Sequence, residues 1–243
     1  MKRTEKADQS YSGFEQGPIR PPSEANSLLI RVTRNCPWNK CTFCPVYKGK
    51  PFSIRPLDHV LKDIDDIHYY IDKLKAVAEP PGLFRRNELD VVIGDDRVNA
   101  PRAFSAAYHW YRAGMTSIFL QDANSLIIKA ENLQAILLRL KQHFPWVERI
   151  TSYARSHTIA RISDENMRLL REAGLSRIHV GMESGADLVL EKVCKGVRKS
   201  DHVKAGRRVK KAGMELSEYV MPGLGGQDLS EAHARETADA LNQ

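Results

Sequence analysis

No run of apolar residues in this 243-residue sequence approaches the roughly 20 that a membrane-spanning helix needs. The opening stretch, MKRTEKADQSYSGFEQ, lacks the apolar centre of a signal peptide, so export is not expected and the cytoplasm is the expected location. Cysteine is scarce, with four residues in the chain. In a reducing compartment so few thiols disfavour a disulfide-built scaffold. No Walker pattern accompanies the glycines that follow Pro222, which leaves a phosphate loop the weaker reading of that segment.

What is present suits a globular protein. Hydrophobic residues make up 42% and charged residues 28%, and a chain of this length buries a substantial core. The formal net charge of +7 invites a nucleic-acid reading. Lys and Arg are scattered, however, and their densest group, at 192–211, falls on a helical pattern. A solvated basic face is therefore favoured over nucleic acid, with attraction to a phosphate-bearing substrate still open.

Residues 1–25 are polar and include GPIRPPSEA, a Pro-rich stretch that predicts an extended tail. Residues 26–243 then alternate short β-rich runs with amphipathic helical stretches. SLLIRVT (27–33) reads as a strand and residues 57–78 as a helix. Strand and helix follow at 117–121 with 131–144, and at 149–154 with 163–174. The latter helix opens on Ser163, has Glu165 in its first turn and closes on Gly174. A strand at 177–182 precedes helical material to Lys211, and a strand at 215–221 precedes a last helix from about Ser230. Such alternation predicts an α/β fold with a parallel sheet, closed as a barrel or part of one. Residues 87–114 interrupt the series and are expected to be an inserted βα unit, with its strand at 89–93.

Three of the four cysteines crowd into NCPWNKCTFCPV (35–46), where Cys36, Cys41 and Cys44 form C-x4-C-x2-C. An odd number of thiols argues against disulfides, and a structural zinc ion usually takes four ligands. Cys194 is distant and reads as a buried structural thiol. The remaining reading is an iron–sulfur cluster held by three thiolates, one iron being left for a ligand from outside the chain. The loop follows the first strand of the series, at the strand end where barrel active sites lie.

With Phe43 just before its third cysteine, this loop resembles that of the radical S-adenosylmethionine (SAM) superfamily, although its first interval is one residue longer than the usual C-x3-C-x2-C. The segment HVGMESGADLVLEKVCKGV (179–197) is similar to the branch containing oxygen-independent coproporphyrinogen oxidases, Elongator-type enzymes and methylthiotransferases. The resemblance implies a partial (β/α)6 TIM-like barrel, a [4Fe–4S] cluster on Cys36, Cys41 and Cys44, and SAM on the fourth iron. It further implies that Phe43 packs near the adenine, that Glu183 meets the ribose or methionyl part, and that Lys195 meets the carboxylate. At the other strand ends, Asp122, with Gln121 and Asn124 beside it, would receive the methionyl ammonium, although QDANS lacks the family's glycines. Tyr153, Arg155 and Glu218 complete the implied SAM contacts.

The implied reaction is reductive cleavage of SAM to methionine and a 5′-deoxyadenosyl radical, which takes hydrogen from a substrate that the sequence does not name. An electron donor such as flavodoxin or ferredoxin is the implied partner. Rival readings are an iron–sulfur electron-transfer or binding protein without SAM chemistry, an RNA-modifying radical SAM enzyme, and a zinc-stabilised domain. The main series supplies five strands where the resembled family has six. An open sheet whose fifth strand lacks an outer partner is therefore expected, in a chain truncated before its last strand.

Overall fold

Runs that are apolar on both faces suit strands buried in a parallel sheet. The computed structural model describes residues 10–78, 92 and 100–243. In chain order, β1 (Leu28–Arg31) leads into a short antiparallel pair, β2 (Thr33–Arg34) and β3 (Ser53–Ile54), whose connection is the cysteine loop. The helices α1 (Leu57–Val77) and α2 (Pro101–Arg112) precede β4 (Ser117–Gln121), and α3 (Ala130–His143) precedes β5 (Arg149–Tyr153). Next come α4 (Ser156–Ile159), α5 (Asp164–Glu172) and β6 (Leu175–Glu183), then α6 (Asp187–Lys192), α7 (Lys199–Lys211), β7 (Glu215–Val220) and α8 (Ser230–Leu241).

The strands β1, β4, β5, β6 and β7 lie side by side in that order, all parallel. This is the expected open α/β arrangement. Among the described residues no strand pairs with the outer side of β7. Leu28 and Ile30, Ile118 and Leu120, and Ile178 and Val180 face the helices and join Ile64, Ile67 and Ile71 of α1 and Leu133, Ile136 and Leu137 of α3 in one core. Phe119, Tyr153, His179 and Tyr219 gather on the opposite face, with ring centroids 5.1–6.3 Å apart.

Local signals act as the sequence indicates. The Ser163 hydroxyl accepts the Asn166 amide at 3.1 Å and caps α5, and Gly174 leaves that helix at φ +117°. Half of the basic residues on α7 are met by acids: Lys199 pairs with Glu236 at 2.7 Å and with Asp239, and Arg208 and Lys211 pair with Asp164. Among the described residues no helix is long and apolar enough to cross a membrane.

Two expectations change. Residues 10–25 lack a strand or α-helix and end in a 3-10 turn at Pro22–Glu24, but they are no free tail: Phe14 is buried, and the wholly buried Glu24 accepts from Ser27 at 2.5 Å and His179 at 3.1 Å. Burial pushes the Glu24 carboxyl up, but those bonds and the Arg149 charge outweigh it and hold the carboxyl below its ordinary value. The second half of 87–114 is no appendage, since Ala103, Ala107 and Trp110 of α2 belong to the main core. The strand expected at 89–93 lies, save for Val92, outside the described residues.

Ile67→Ala, in the α1 face that covers the sheet, is expected to cost about 2–5 kcal/mol of stability in denaturant titrations.

Candidate active site

The cysteine loop rises from the end of β1 and closes through β3, so its thiols stand at the C-terminal end of the parallel sheet. Cys36, Cys41 and Cys44 are half-buried and unpaired with one another. The Cys36 sulfur receives the Asn39 amide at 3.5 Å. Asn35 and Asn39 have φ of +67° and +49°, a left-handed conformation that Asn tolerates better than most residues, and these two turns fold the loop back on itself. Their side-chain amides donate to carbonyls within the loop, Asn35 to Pro51 at 2.6 Å and Asn39 to Tyr47.

The loop docks on residues 193–196, between α6 and α7. Thr42 donates its amide to the Val193 carbonyl at 3.0 Å, and the Trp38 indole donates to the Cys194 carbonyl at 2.7 Å. Arg155 donates to the Lys195 carbonyl at 2.8 Å while its guanidinium lies 5.1 Å from the Trp38 ring centre. Gly196, at φ +71°, lies so close to that ring that a Cβ there would overlap it. Cys194 is exposed, at φ +53° just past the end of α6, so the expected buried thiol is corrected. Its main chain holds the dock while its side chain faces outward.

This dock brings the second half of the implied site to the first. Lys195 Nζ donates to Glu183 Oε1 at 2.9 Å and stands 5.7 Å from the Phe43 ring centre. Glu183 ends β6 at φ +67°, outside the strand conformation. A Cβ at Gly181 would stand 2.5 Å from Glu183 Oε1 and 3.2 Å from Lys195 Nζ, so the pair lies directly against this glycine. Burial raises the Cys41 thiol above its ordinary value, with Lys195 and Arg155 opposing the shift and the Cys36 and Cys44 thiolates adding to it. Burial also pulls the Arg155 guanidinium down, against the attraction of Cys36 and Cys41.

Glu218, on β7, has a buried Oε2 without a hydrogen-bond partner. Burial pushes this carboxyl from the ordinary 4.5 up to about 8, with the Lys195 charge opposing and the Glu183 charge adding. Tyr153 is raised too, first by burial and then by the Tyr219 and Glu183 charges.

The QDANS turn behaves otherwise. Gln121, Asp122 and Asn124 are 0%, 0% and 1% exposed, and the protein occupies their polar atoms. Gln121 receives the Gly17 amide at 2.8 Å and donates to the Ile19 carbonyl at 2.6 Å. Asn124 receives the Arg155 amide at 3.0 Å and donates to Thr158 at 2.9 Å. Asp122 accepts from Arg31, Asn35 and Tyr47. In this structure the side-chain polar atoms of these three residues therefore bond to other parts of the chain.

Among the described residues no three His, Cys, Asp or Glu side chains group about a single metal ion. A [4Fe–4S] cluster instead takes one thiolate on each ligated iron, and three half-buried thiols with two cationic side chains beside them fit such a group. Trp38, Tyr47, Arg31 and Gly196 are parts of the site that sequence reasoning missed. Only Trp38, lying inside the cysteine spacing, carried a visible signal.

The sequence profile of the Radical SAM superfamily matches residues 105–238, more than half of the chain. Among solved structures, the chain is similar to the cobalamin-dependent S-adenosylmethionine radical enzyme OxsB, with 19% identity and a TM-score of 0.53 over 89% of this chain and 26% of that one. It is also similar to the radical S-adenosylmethionine methyltransferase TsrM from Kitasatospora setae, at 16%, 0.54, 89% and 34%. For coproporphyrinogen III oxidase (HemN) from Escherichia coli the values are 12%, 0.51, 88% and 41%. The chain thus spans between about a quarter and two fifths of the length of these structures. No curated protein matches the sequence.

Two outcomes are expected. Gly196→Ala should undock the loop and speed tryptic cleavage at Lys40 and Lys48, because the added methyl meets Trp38 at a φ that side chains resist. For Glu218, a folded-state value of about 8 against 4.5 means stability that is full below pH 4.5 and lost as pH rises through 8. Glu218→Gln, neutral throughout, should therefore gain stability over the parent as denaturant titrations move up that window. A constant difference would contradict the assignment.

Proposed function

The chain belongs to the radical SAM superfamily of enzymes, whose cofactors are a [4Fe–4S] cluster and SAM, and we propose that Cys36, Cys41 and Cys44 hold the cluster while Lys195, Glu183 and Phe43 line the place of SAM. The observation that carries this reading is the dock that sets the three-cysteine loop against the Lys195–Glu183 pair. When bound and reduced, the cluster supplies the electron that splits SAM into methionine and a 5′-deoxyadenosyl radical, the species that takes hydrogen from substrate.

The residues of the chain have three tasks around that chemistry. Lys195 offers a cation for a carboxylate and is held in place by Glu183 at 2.9 Å, a charge-assisted bond. Phe43 offers a ring beside that cation. Glu218 and Tyr153 add a protonated carboxyl and a phenol that keep their protons in the same electrostatic neighbourhood. An electron carrier has no use for such a lining, which favours the enzymatic reading over an electron-transfer role. The acids opposite the basic residues of α7 reduce the case for an RNA substrate. The substrate of the reaction is a small-molecule or macromolecular hydrogen donor, and the electron donor a flavodoxin or ferredoxin.

Anaerobic reconstitution with iron and sulfide should give about four irons per chain. Cys36→Ala, Cys41→Ala and Cys44→Ala should each abolish the cluster, and Cys194→Ala should leave it intact. Dithionite and SAM should then yield 5′-deoxyadenosine and methionine, and Lys195→Ala should weaken SAM binding with iron content unchanged. Zinc uptake without iron–sulfur absorption would reject this reading.

A further inference from the structure

The Asp122 carboxylate sits at the end of β4 with no exposed surface, yet three separate segments aim donors at it. Arg31, at the end of β1, gives two N–H groups to Oδ2, at 3.0 and 2.7 Å. The main-chain N–H of Asn35, directly before Cys36, donates to the same oxygen at 3.1 Å. The Tyr47 hydroxyl, three residues after Cys44, donates to Oδ1 at 2.5 Å. One buried carboxylate therefore grips the cysteine loop immediately before its first thiol and shortly after its last.

We infer that Asp122 is a positioning residue that closes the 36–44 loop at both ends, and that the N-terminal segment 11–19 is part of this clamp. Glu15 accepts from Arg31 at 3.1 Å and from Arg34 at 2.6 Å and forms an ion pair with Arg55, whose Nε stands 2.8 Å away, so the arginine that holds Asp122 is itself fixed from the N-terminal side. Arg55 continues to Asp63 at 2.6 Å, and Tyr11 donates to Asp63 at 2.8 Å, which ties the network to α1. Gly17 lies against the carboxylate, where a Cβ would stand 2.6 Å from Oδ1. Only glycine lets the segment cover Asp122 and exclude water from it. Burial pushes the Tyr47 hydroxyl far above its ordinary pKa, helped by the Asp122 charge, so Tyr47 remains a donor at every working pH. A loop closed by charge-assisted bonds of this kind keeps its thiols oriented before any ligand arrives.

This inference rests on the proposed function only for what the thiols hold; the closure of the loop is independent of it. Limited trypsin digestion of the apoprotein reads the loop directly, through cleavage after Lys40 and Lys48, both exposed. Loss of a buried hydrogen bond to a charged group predicts roughly tenfold faster cleavage there for Tyr47→Phe, with the thermal midpoint nearly unchanged. Asp122→Asn should open the loop further, and adding Tyr47→Phe to it should have less effect than in the parent, because the two groups act on one bond. In reconstituted protein, Tyr47→Phe should shift the EPR spectrum of the reduced cluster, a change that a distant stability defect would not produce. Parent-like protection in both single variants, or an Asp122→Asn protein that keeps its iron and EPR spectrum and loses only SAM affinity, would overturn the inference. A parent protein that takes up no cluster would reject the proposed function, and the trypsin comparison would still decide the clamp.

Discussion

A charge removed from water has to be met by another charge or by hydrogen bonds, since left alone it destabilises the fold by several kcal/mol. This constraint shapes the half of the molecule that carries the cysteine loop. Asp63 and Asp122 are wholly buried and Arg55 nearly so. Together with Glu15 and Arg31 they form a continuous chain of opposite charges from α1, across the N-terminal segment and β1, to the end of β4. Removal of Arg31 would leave the buried Asp122 carboxylate without its cation. The segments these charges join also share the apolar core, through Phe14, Ile30, Ile64 and Ile118 among others, so charge pairing and apolar packing fix them together.

The loop has a second fastening, of a different kind. On its far side the dock to residues 193–196 uses main-chain carbonyls and the Trp38 ring, with Gly196 leaving space for the indole. The charge network sets where the loop begins and ends; the dock sets which way it leans. Because Lys195 lies within the docked segment, the lean also decides how far Nζ stands from the thiols and from Phe43. The three thiols and the cation are therefore carried by one mechanical unit, although more than 150 residues of sequence separate Cys36 from Lys195.

The sheet was legible in the sequence because parallel strands leave runs with few polar residues, and the strand expected at 117–121 is found with those bounds. The cysteine triplet stood out in the sequence because three of the four cysteines share one short loop. Other parts left no such trace. Asp122 reads as a strand-end acid that could face a ligand, and only coordinates reveal that Arg31, Asn35 and Tyr47 already occupy it. Cys194 sits in a helical pattern that suggests burial, yet the short helix ends before it and turns the thiol outward. The N-terminal segment looked like a tail because its composition is polar; its polar residues are what the buried arginines require.

The two sides of the candidate site meet their charge requirements differently. Beneath the cysteine loop every carboxylate named has a cation or several donors, which favours one rigid arrangement. At the opposite wall Glu218 has a buried oxygen with no hydrogen bond and a proton held up to about pH 8, although Lys195 is close enough to oppose that shift. Unsatisfied buried groups are rare because they cost stability, and those that persist cluster where a ligand completes them. Carboxylates behind the thiols that are met by the chain's own cations and donors, and a carboxyl on β7 with an oxygen that is met by none, are the arrangement expected of a site that takes a ligand from solution on the β7 side.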